Sequence, residues 1–303
     1  MAQIQEKTGW LRSGYHPSWE PFLNEKTRRL LGSIENDAGP NILPDSGSVL
    51  RFLHTDIGRL QVVILGQDPY PAPGAATGRA FEVGGLKSWS DPFRQVSLKN
   101  IIRLVWCAEN GIRPFEQGGQ YGRIPSFSQI RKEIKGGLFA LESPDRLFQS
   151  WEEQGVLLLN TSLTVSPGKP GAHREYWLPF TRLVLRRLTE ARPDLAWFLW
   201  GSQAQAHAPI LGKARMFSSR HPMLCSPSYP DDFFRNPCFH DTAGLVGWTG
   251  TRADLSTGRE PVPDLSAGRE PGPTCRLDGN PCRTCRLDGN PGLNAGIVRL
   301  RRP

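Results

Sequence analysis

Four short apolar runs in this chain each end in polar residues able to do chemistry. Val62-Val63-Ile64-Leu65 runs into Gly66-Gln67-Asp68-Pro69-Tyr70, and Val156-Leu157-Leu158-Leu159 runs into Asn160-Thr161-Ser162. Leu195-Ala196-Trp197-Phe198-Leu199-Trp200 is followed by Gly201-Ser202-Gln203, and the weaker Ala214-Arg215-Met216-Phe217 leads through Ser218-Ser219-Arg220 to His221-Pro222. A carboxylate, a carboxamide, a hydroxyl and an imidazole are thus on offer, the groups for charge stabilisation, hydrogen-bond reading of a polar ligand and proton or hydrogen-bond donation. Taken singly, each has a plainer use. Asp68 before Pro69 could cap a turn, Asn160 could satisfy loop backbone, and His221 could be a surface histidine before proline. Four such groups at equivalent places are harder to explain that way.

The elements that must position them follow from the pattern. Apolar runs of this length read as buried parallel strands. Between them, Ser97 to Trp106 and Phe180 to Leu188 carry apolar residues at helical spacing, the second ended by Arg192-Pro193. Strands alternating with helices predict an α/β fold with a central, mainly parallel four-stranded sheet flanked by helices. Ligands bind at the carboxyl ends of such strands. Asp68, Asn160, Ser202 and His221, far apart in sequence, are therefore expected in one cleft. Residues 113–148, rich in Gly and Gln, define no clear element.

Composition bounds the class. The 303 residues are 38% hydrophobic and 22% charged, which suits a soluble globular protein with a sizeable core. The longest apolar runs fall far short of the roughly 18 residues of a membrane span. The segment MAQIQEKTGWLRSGYHPSW lacks the apolar stretch of a secretory signal. Six cysteines make no disulfide framework, so a reduced, cytoplasmic setting is expected. The net charge of +8 favours partners with phosphates, but only mildly.

The composition breaks near Gly250, after which no aromatic residue occurs. The remainder is repetitive: Asp254-Leu255-Ser256 recurs at Asp264-Leu265-Ser266, and Cys275 to Pro281 recurs at Cys285 to Pro291. Such sequence lacks the apolar area to offset chain entropy. The expected organisation is a catalytic domain over residues 1–249 and a disordered tail over 250–303. Cys282 and Cys285 form a CxxC with Cys275 upstream, but a zinc site wants a fourth ligand and none is near. The repeat accounts for the spacing, and no metal is expected.

At the strand ends the chain resembles the family 1 uracil-DNA glycosylases. GQDPYPAPGAATGRAFEV (66–83), GVLLLNTSLTV (155–165), FLWGSQAQ (198–205) and RHPMLCS (220–226) match that family's blocks in order. HPSWEPFL (16–23), SLKNI (97–101) and FFRNPCFHDTAGLV (233–246) are lesser echoes. The resemblance covers roughly residues 10–248. It implies hydrolysis of the N-glycosidic bond of uracil in DNA, single- or double-stranded, by a monomer without metal or organic cofactor. Asp68 matches the carboxylate that stabilises the sugar cation and orients water, and His221 the donor to uracil O2. Asn160 matches the uracil-reading amide, Phe81 the stacking aromatic, and Tyr70 the ring that crowds uracil C5. Gln67 matches a backbone contact to the base. Ser97, Ser202 and Ser226 fall at or near the phosphate-gripping loops.

Three departures stand out. Pro71 replaces the usual His after GQDPY, the stretch from Phe81 to Ser97 looks longer, and HPMLCS replaces HPSPLS. The family's wedging Leu stands at the fifth position of that loop, here Cys225, with Leu224 one residue earlier. Two other readings remain open at this stage. One is a glycosylase-fold protein that binds DNA without cleaving. The other is a nucleotide-binding α/β enzyme, though Gly74-Ala75-Ala76-Thr77-Gly78 lacks the P-loop lysine.

Overall fold

The computed structural model describes residues 9–116 and 120–250. Four strands, β1 (Val62–Gly66), β2 (Val156–Asn160), β3 (Ala196–Trp200) and β4 (Arg215–Ser219), form one sheet in the order β2-β1-β3-β4, with every pair parallel. These are the four apolar runs, with ends shifted by no more than two residues. All residues of β1, β2 and β3 are buried. Both faces are covered, so the runs show no alternation of apolar and polar residues. Side chains instead alternate between two cores. Val62, Ile64, Leu158 and Phe198 enter one, and Val63, Leu65, Leu157 and Trp197 the other. β4 lies at the edge with Arg215 and Ser218 exposed, which explains its weaker apolar signal.

Helices α1 (Glu25–Ala38), α2 (Val96–Glu109), α3 (Phe127–Lys135), α4 (Pro144–Glu153) and α5 (Arg174–Ala191) cover the sheet. The connection from β1 to β2 passes through α2, α3 and α4, whose Leu98, Ile102, Ile130, Phe148 and Trp151 build the first core. The connection from β2 to β3 passes through α5, whose Trp177, Phe180, Val184 and Leu188 join Leu31 and Ile34 of α1 in the second. Each such buried side chain contributes about 1.5–3 kcal/mol relative to exposure. The two connections lie on opposite faces, so the strand order reverses at β1. A crevice then opens at the carboxyl ends of β1 and β3, where open parallel sheets bind ligands. Two short helices, α6 (Ser202–Gln205) and α7 (Ala208–Leu211), lead from β3 to β4.

The stretch without a clear element, 113–148, contains α3 and the start of α4. Its start signals are local. Ser126 Oγ accepts from the Gln129 backbone N–H (3.3 Å) and Gln129 Oε1 from that of Ser126 (2.7 Å), a reciprocal cap. Pro144 opens α4 at a position that needs no N–H. α5 begins at Arg174, six residues before the pattern at Phe180, and carries Pro179 inside it.

The described fold runs to Gly250. Trp248 is fully buried, Trp151 Nε1 donates to its carbonyl at 3.0 Å, and Ser150 Oγ donates to the Gly250 carbonyl. Residues 251–303, with Cys275, Cys282 and Cys285, lie outside the described residues. Among the described residues no helix is long and apolar enough to cross a membrane. Ending the chain after Gly250 is expected to leave urea unfolding unchanged. Ending it after Val246 removes Trp248 and is expected to cost about 3–5 kcal/mol, as for a buried Trp truncation. A large loss from the first cut would show that residues beyond Gly250 pack on the domain.

Candidate active site

β1 and β2 pair so that Gly66 lies opposite Asn160 at their carboxyl ends. A side chain at Gly66 would meet Asn160 Oδ1 at 2.3 Å and Ala80 Cβ at 2.9 Å. Glycine is therefore required by the close approach of the Asn160 amide, which is 5% exposed. The loops beyond the strands are stitched together. Gly66 O accepts from Thr161 N (3.0 Å), and Gln67 O accepts from Ser162 N (2.9 Å) and Thr161 Oγ1 (2.8 Å). These bonds leave Asp68, one residue on, in the lining of a cavity of about 310 Å³.

That cavity gathers Gln67, Asp68, Tyr70, Phe81, Ser97, Asn160 and His221, seven of the residues expected from the sequence. Asp68 is half-buried, and its Oδ2 accepts from Gly171 N at 2.6 Å. Burial raises its carboxyl above the ordinary value of 3.8, opposed by the Gly171 N–H and the charge of Arg174. His221 is also half-buried, and burial lowers its imidazole below the ordinary 6.5. Its Nδ1 accepts from the Met223 backbone N–H at 3.2 Å. A backbone N–H can only donate, so in the neutral ring the proton sits on Nε2. The tautomer is set by the turn that follows the residue. Gly201 at φ +92° lets the β3 end pass under the ring, since a Cβ there would sit 3.0 Å from His221 Cβ.

Phe81 holds φ +65°, the one non-glycine with positive φ among the described residues. That conformation costs on the order of 1–3 kcal/mol and persists only where surroundings impose it. Its ring lies 5.5 Å from Trp200 and 6.1 Å from His221 between centroids. Tyr70 reaches over it, with Oη 3.5 Å from the Phe81 carbonyl, and burial raises the phenol well above its ordinary value. Ser97 stands in the first turn of α2, buried and on the cavity wall.

Four expected residues lie outside the cavity. Ser202 is exposed at the start of α6, directly after Gly201. Ser226 donates its N–H to Asp232 Oδ2 at 2.6 Å. Cys225 points inward against the first core; its Sγ donates to Pro222 O (3.2 Å) and accepts from Asn100 Nδ2 (3.4 Å). Burial pushes its thiol up to about 12. Leu224 and its neighbour Met223 are instead exposed, 52% and 56%, and Met223 lines the cavity mouth. His16, the second His-Pro, caps a short turn by accepting from Ser18 N. Among the described residues no group of three or more His, Cys, Asp or Glu could hold a metal ion.

Sequence reasoning missed Arg79 and Glu82, which line the cavity as a buried ion pair. Their spacing of three around Phe81 was a usable signal. It also missed Gly171, which acts through its backbone and left no trace in residue type. Because Asp68 holds its proton more tightly when folded, its ionisation costs stability as pH rises from below 3.8 through the raised folded value. Asp68→Asn is expected to raise Tm at pH 7.5, with the gain vanishing near pH 3. An equal gain at both pH values would show that burial does not strain this carboxylate.

Comparison with known proteins places this geometry. The family model described as the uracil DNA glycosylase superfamily matches residues 53–235. A uracil-DNA glycosylase of Corynebacterium efficiens is 30% identical over 220 residues, 70% of this chain and 79% of that protein. One of Pectobacterium carotovorum is 35% identical over 206 residues, 66% of this chain and 74% of that protein. The crystal structure of a UNG from Nitratifractor salsuginis superposes with a TM-score of 0.58 at 23% identity, covering 81% of this chain and 99% of that one, which bears on the fold. The strand-end constellation, the four-stranded parallel sheet and these matches agree, and the chain belongs to the uracil-DNA glycosylase superfamily.

Proposed function

We propose that this protein is a monofunctional uracil-DNA glycosylase of base excision repair that hydrolyses the N-glycosidic bond of a flipped deoxyuridine. The observation that carries the reading is the convergence of Asp68, Asn160, Phe81 and His221 on one cavity. Breaking the bond places positive charge on the sugar and negative charge on the base. The Asp68 carboxylate stabilises the first and orients the water that adds to C1′, while Gly171 N–H holds its other oxygen. The Nε2–H of neutral His221 donates to uracil O2 as charge builds there, the logic of an oxyanion hole. The leaving uracil anion then takes a proton from solvent. Burial favours the working form of His221, because lowering its pKa keeps the ring neutral near pH 7.

Discrimination falls to Asn160. One carboxamide offers an acceptor to N3–H and a donor to O4, whereas cytosine presents the reverse pair. A buried mismatch leaves polar groups unpaired, so the wrong base is rejected strongly. Phe81 stacks on the base, Tyr70 crowds C5 against a methyl group, and Gln67 contributes its backbone. The target base must be flipped out of its stack. Ser97, Ser202 and Ser226 grip phosphates during that step, giving salt-sensitive, sequence-independent binding. Leu224, exposed at the tip of the His221 loop, wedges into the vacated space, and Cys225, turned inward, does not. A single chain carries the whole pocket, which supports action as a monomer. Cys107, Cys225 and Cys238 are free thiols, which suits a reducing, cytoplasmic setting.

The test is uracil release from a single-stranded oligonucleotide. Asp68→Asn is expected to lower the rate by about 10²–10⁴-fold, with DNA affinity nearly unchanged, because the charge acts on the transition state. Near-normal turnover would remove Asp68 from the mechanism. Inactive wild-type protein that still bound DNA would favour the non-cleaving binder. Leu224→Ala is expected to slow release from duplex DNA and leave single strands unaffected, since only a duplex must be held open. Equal effects on both substrates would assign Leu224 another task.

A further inference from the structure

The wall of the cavity that carries Phe81 is built with buried charge. Arg79 and Glu82, on either side of Phe81, are 8% and 7% exposed. Arg79 Nη1 donates to Glu82 Oε1 and Oε2 at 3.1 and 3.2 Å. From the same guanidinium, Nε donates to Glu152 Oε2 at 3.1 Å. Glu152 belongs to α4, whose Trp151 is packed in the first core. A buried arginine between two carboxylates contributes little net stability compared with apolar residues of the same shape. What the planar fork supplies is geometry, since its donors lie in fixed directions.

The residue between these charges needs such a hold. Phe81 sits at φ +65°, a conformation that relaxes unless its surroundings over-determine it. Its own backbone is weakly tied, by a 3.5 Å contact from Tyr70 Oη to its carbonyl. The nearest main-chain anchor is Ala80 N to Leu158 O, at 3.2 Å. The pair Arg79–Glu82 joins the residue two before Phe81 to the residue after it, closing a clamp across the left-handed turn. Glu152 fastens that clamp to the scaffold.

We propose that Arg79 is a positioning residue: its fork to Glu82 and Glu152 holds Phe81 in the left-handed conformation and so sets the plane on which the flipped base stacks. The inference rests on the reading of the cavity as a uracil pocket. It assigns to Arg79 a role exerted through Phe81, without direct contact with the base. Stacking is present in both the bound ground state and the transition state, so its loss weakens binding more than chemistry.

The experiment uses the full chain and steady-state kinetics on a single-stranded uracil oligonucleotide, with inhibition by free uracil as a second readout. Arg79→Met and Glu152→Gln are each expected to raise KM and the uracil inhibition constant about tenfold, the scale of one lost base–aromatic stack, with kcat within about threefold. Arg79→Lys, which keeps the charge but not the fork, is expected to recover only part of the loss. In a Phe81→Ala background, Glu152→Gln is expected to add less than about twofold, because the residue through which it acts is gone. Glu152→Gln keeps the proposal testable should Arg79→Met fail to fold, since Glu152 does not line the cavity and the substitution removes the charge that fastens the Arg79 fork while filling the same space. Unchanged KM and inhibition constant in Glu152→Gln, or losses that multiply with Phe81→Ala, would overturn the inference while the activity stands. Wild-type protein that neither released nor bound uracil would instead overturn the functional reading beneath it.

Discussion

The site depends on how closely β1 and β2 approach at their carboxyl ends. Gly66 lies opposite Asn160, and a methyl group at Gly66 would occupy the space of the Asn160 amide oxygen. With that space open, the amide turns over the strand end into the cavity. The same register puts Gly66 O and Gln67 O within reach of Thr161 and Ser162, so both loops leave the sheet as one unit. Asp68 then stands one residue beyond a fixed point. The carboxylate proposed to act on charge and the amide proposed to read the base are both set by a single pairing of two strands.

The far side of the cavity is organised differently. The loop after His221 has no strand pairing, and side chains beneath it supply the order. Asn100 of α2 donates to Pro222 O at 2.7 Å. Asp232, 1% exposed, accepts from Ser226 N, Tyr121 Oη and Phe234 N. Cys225 fills the space between. With those residues committed inward, Met223 and Leu224 are left outward, and the Met223 N–H is left pointing at His221 Nδ1. One turn thus chooses both the imidazole tautomer and the apolar residues presented beside the pocket. The substitution of HPMLCS for HPSPLS matters less to the histidine than its proximity suggests, because the bond that orients the ring comes from backbone.

Buried charge is used in two ways in this domain. Arg79 is paired with both Glu82 and Glu152, and the three act as scaffold. Asp68 has one backbone N–H and a more distant Arg174, too little to offset its burial. Its carboxylate is thereby costly to the fold and, in the role proposed for it, available to a developing positive charge. On the proposed role, function and stability are opposed at that residue, as is common where a site needs a group that the fold does not satisfy.

Much of this was legible in the residues. The four strands, their parallel arrangement and the polar residues at their ends followed from apolar runs too short and too uniform for half-exposed strands. The order of GQDPY, LLLNTSLTV and HPMLCS pointed to Asp68, Asn160 and His221, because those types recur at places that a parallel sheet brings together, whereas Ser202 after WGS is exposed outside the cavity. The helices of 113–148 were missed because their signals are single caps, Ser126 and Pro144, inside a Gly- and Gln-rich stretch. Whether Cys225 or Leu224 faces outward depends on Asn100 and Pro222, 125 and 3 residues from Cys225. The tautomer of His221 depends on one N–H, and the hold on Asp68 on the backbone of Gly171, 103 residues away. Residue type and spacing determine which groups reach the carboxyl edge, since each is local to its strand. Which way a side chain turns is decided by partners such as Asn100 and Gly171, distant in sequence, that meet only when the sheet is assembled, and the proton His221 carries is decided by the adjacent turn that Asn100 helps to hold.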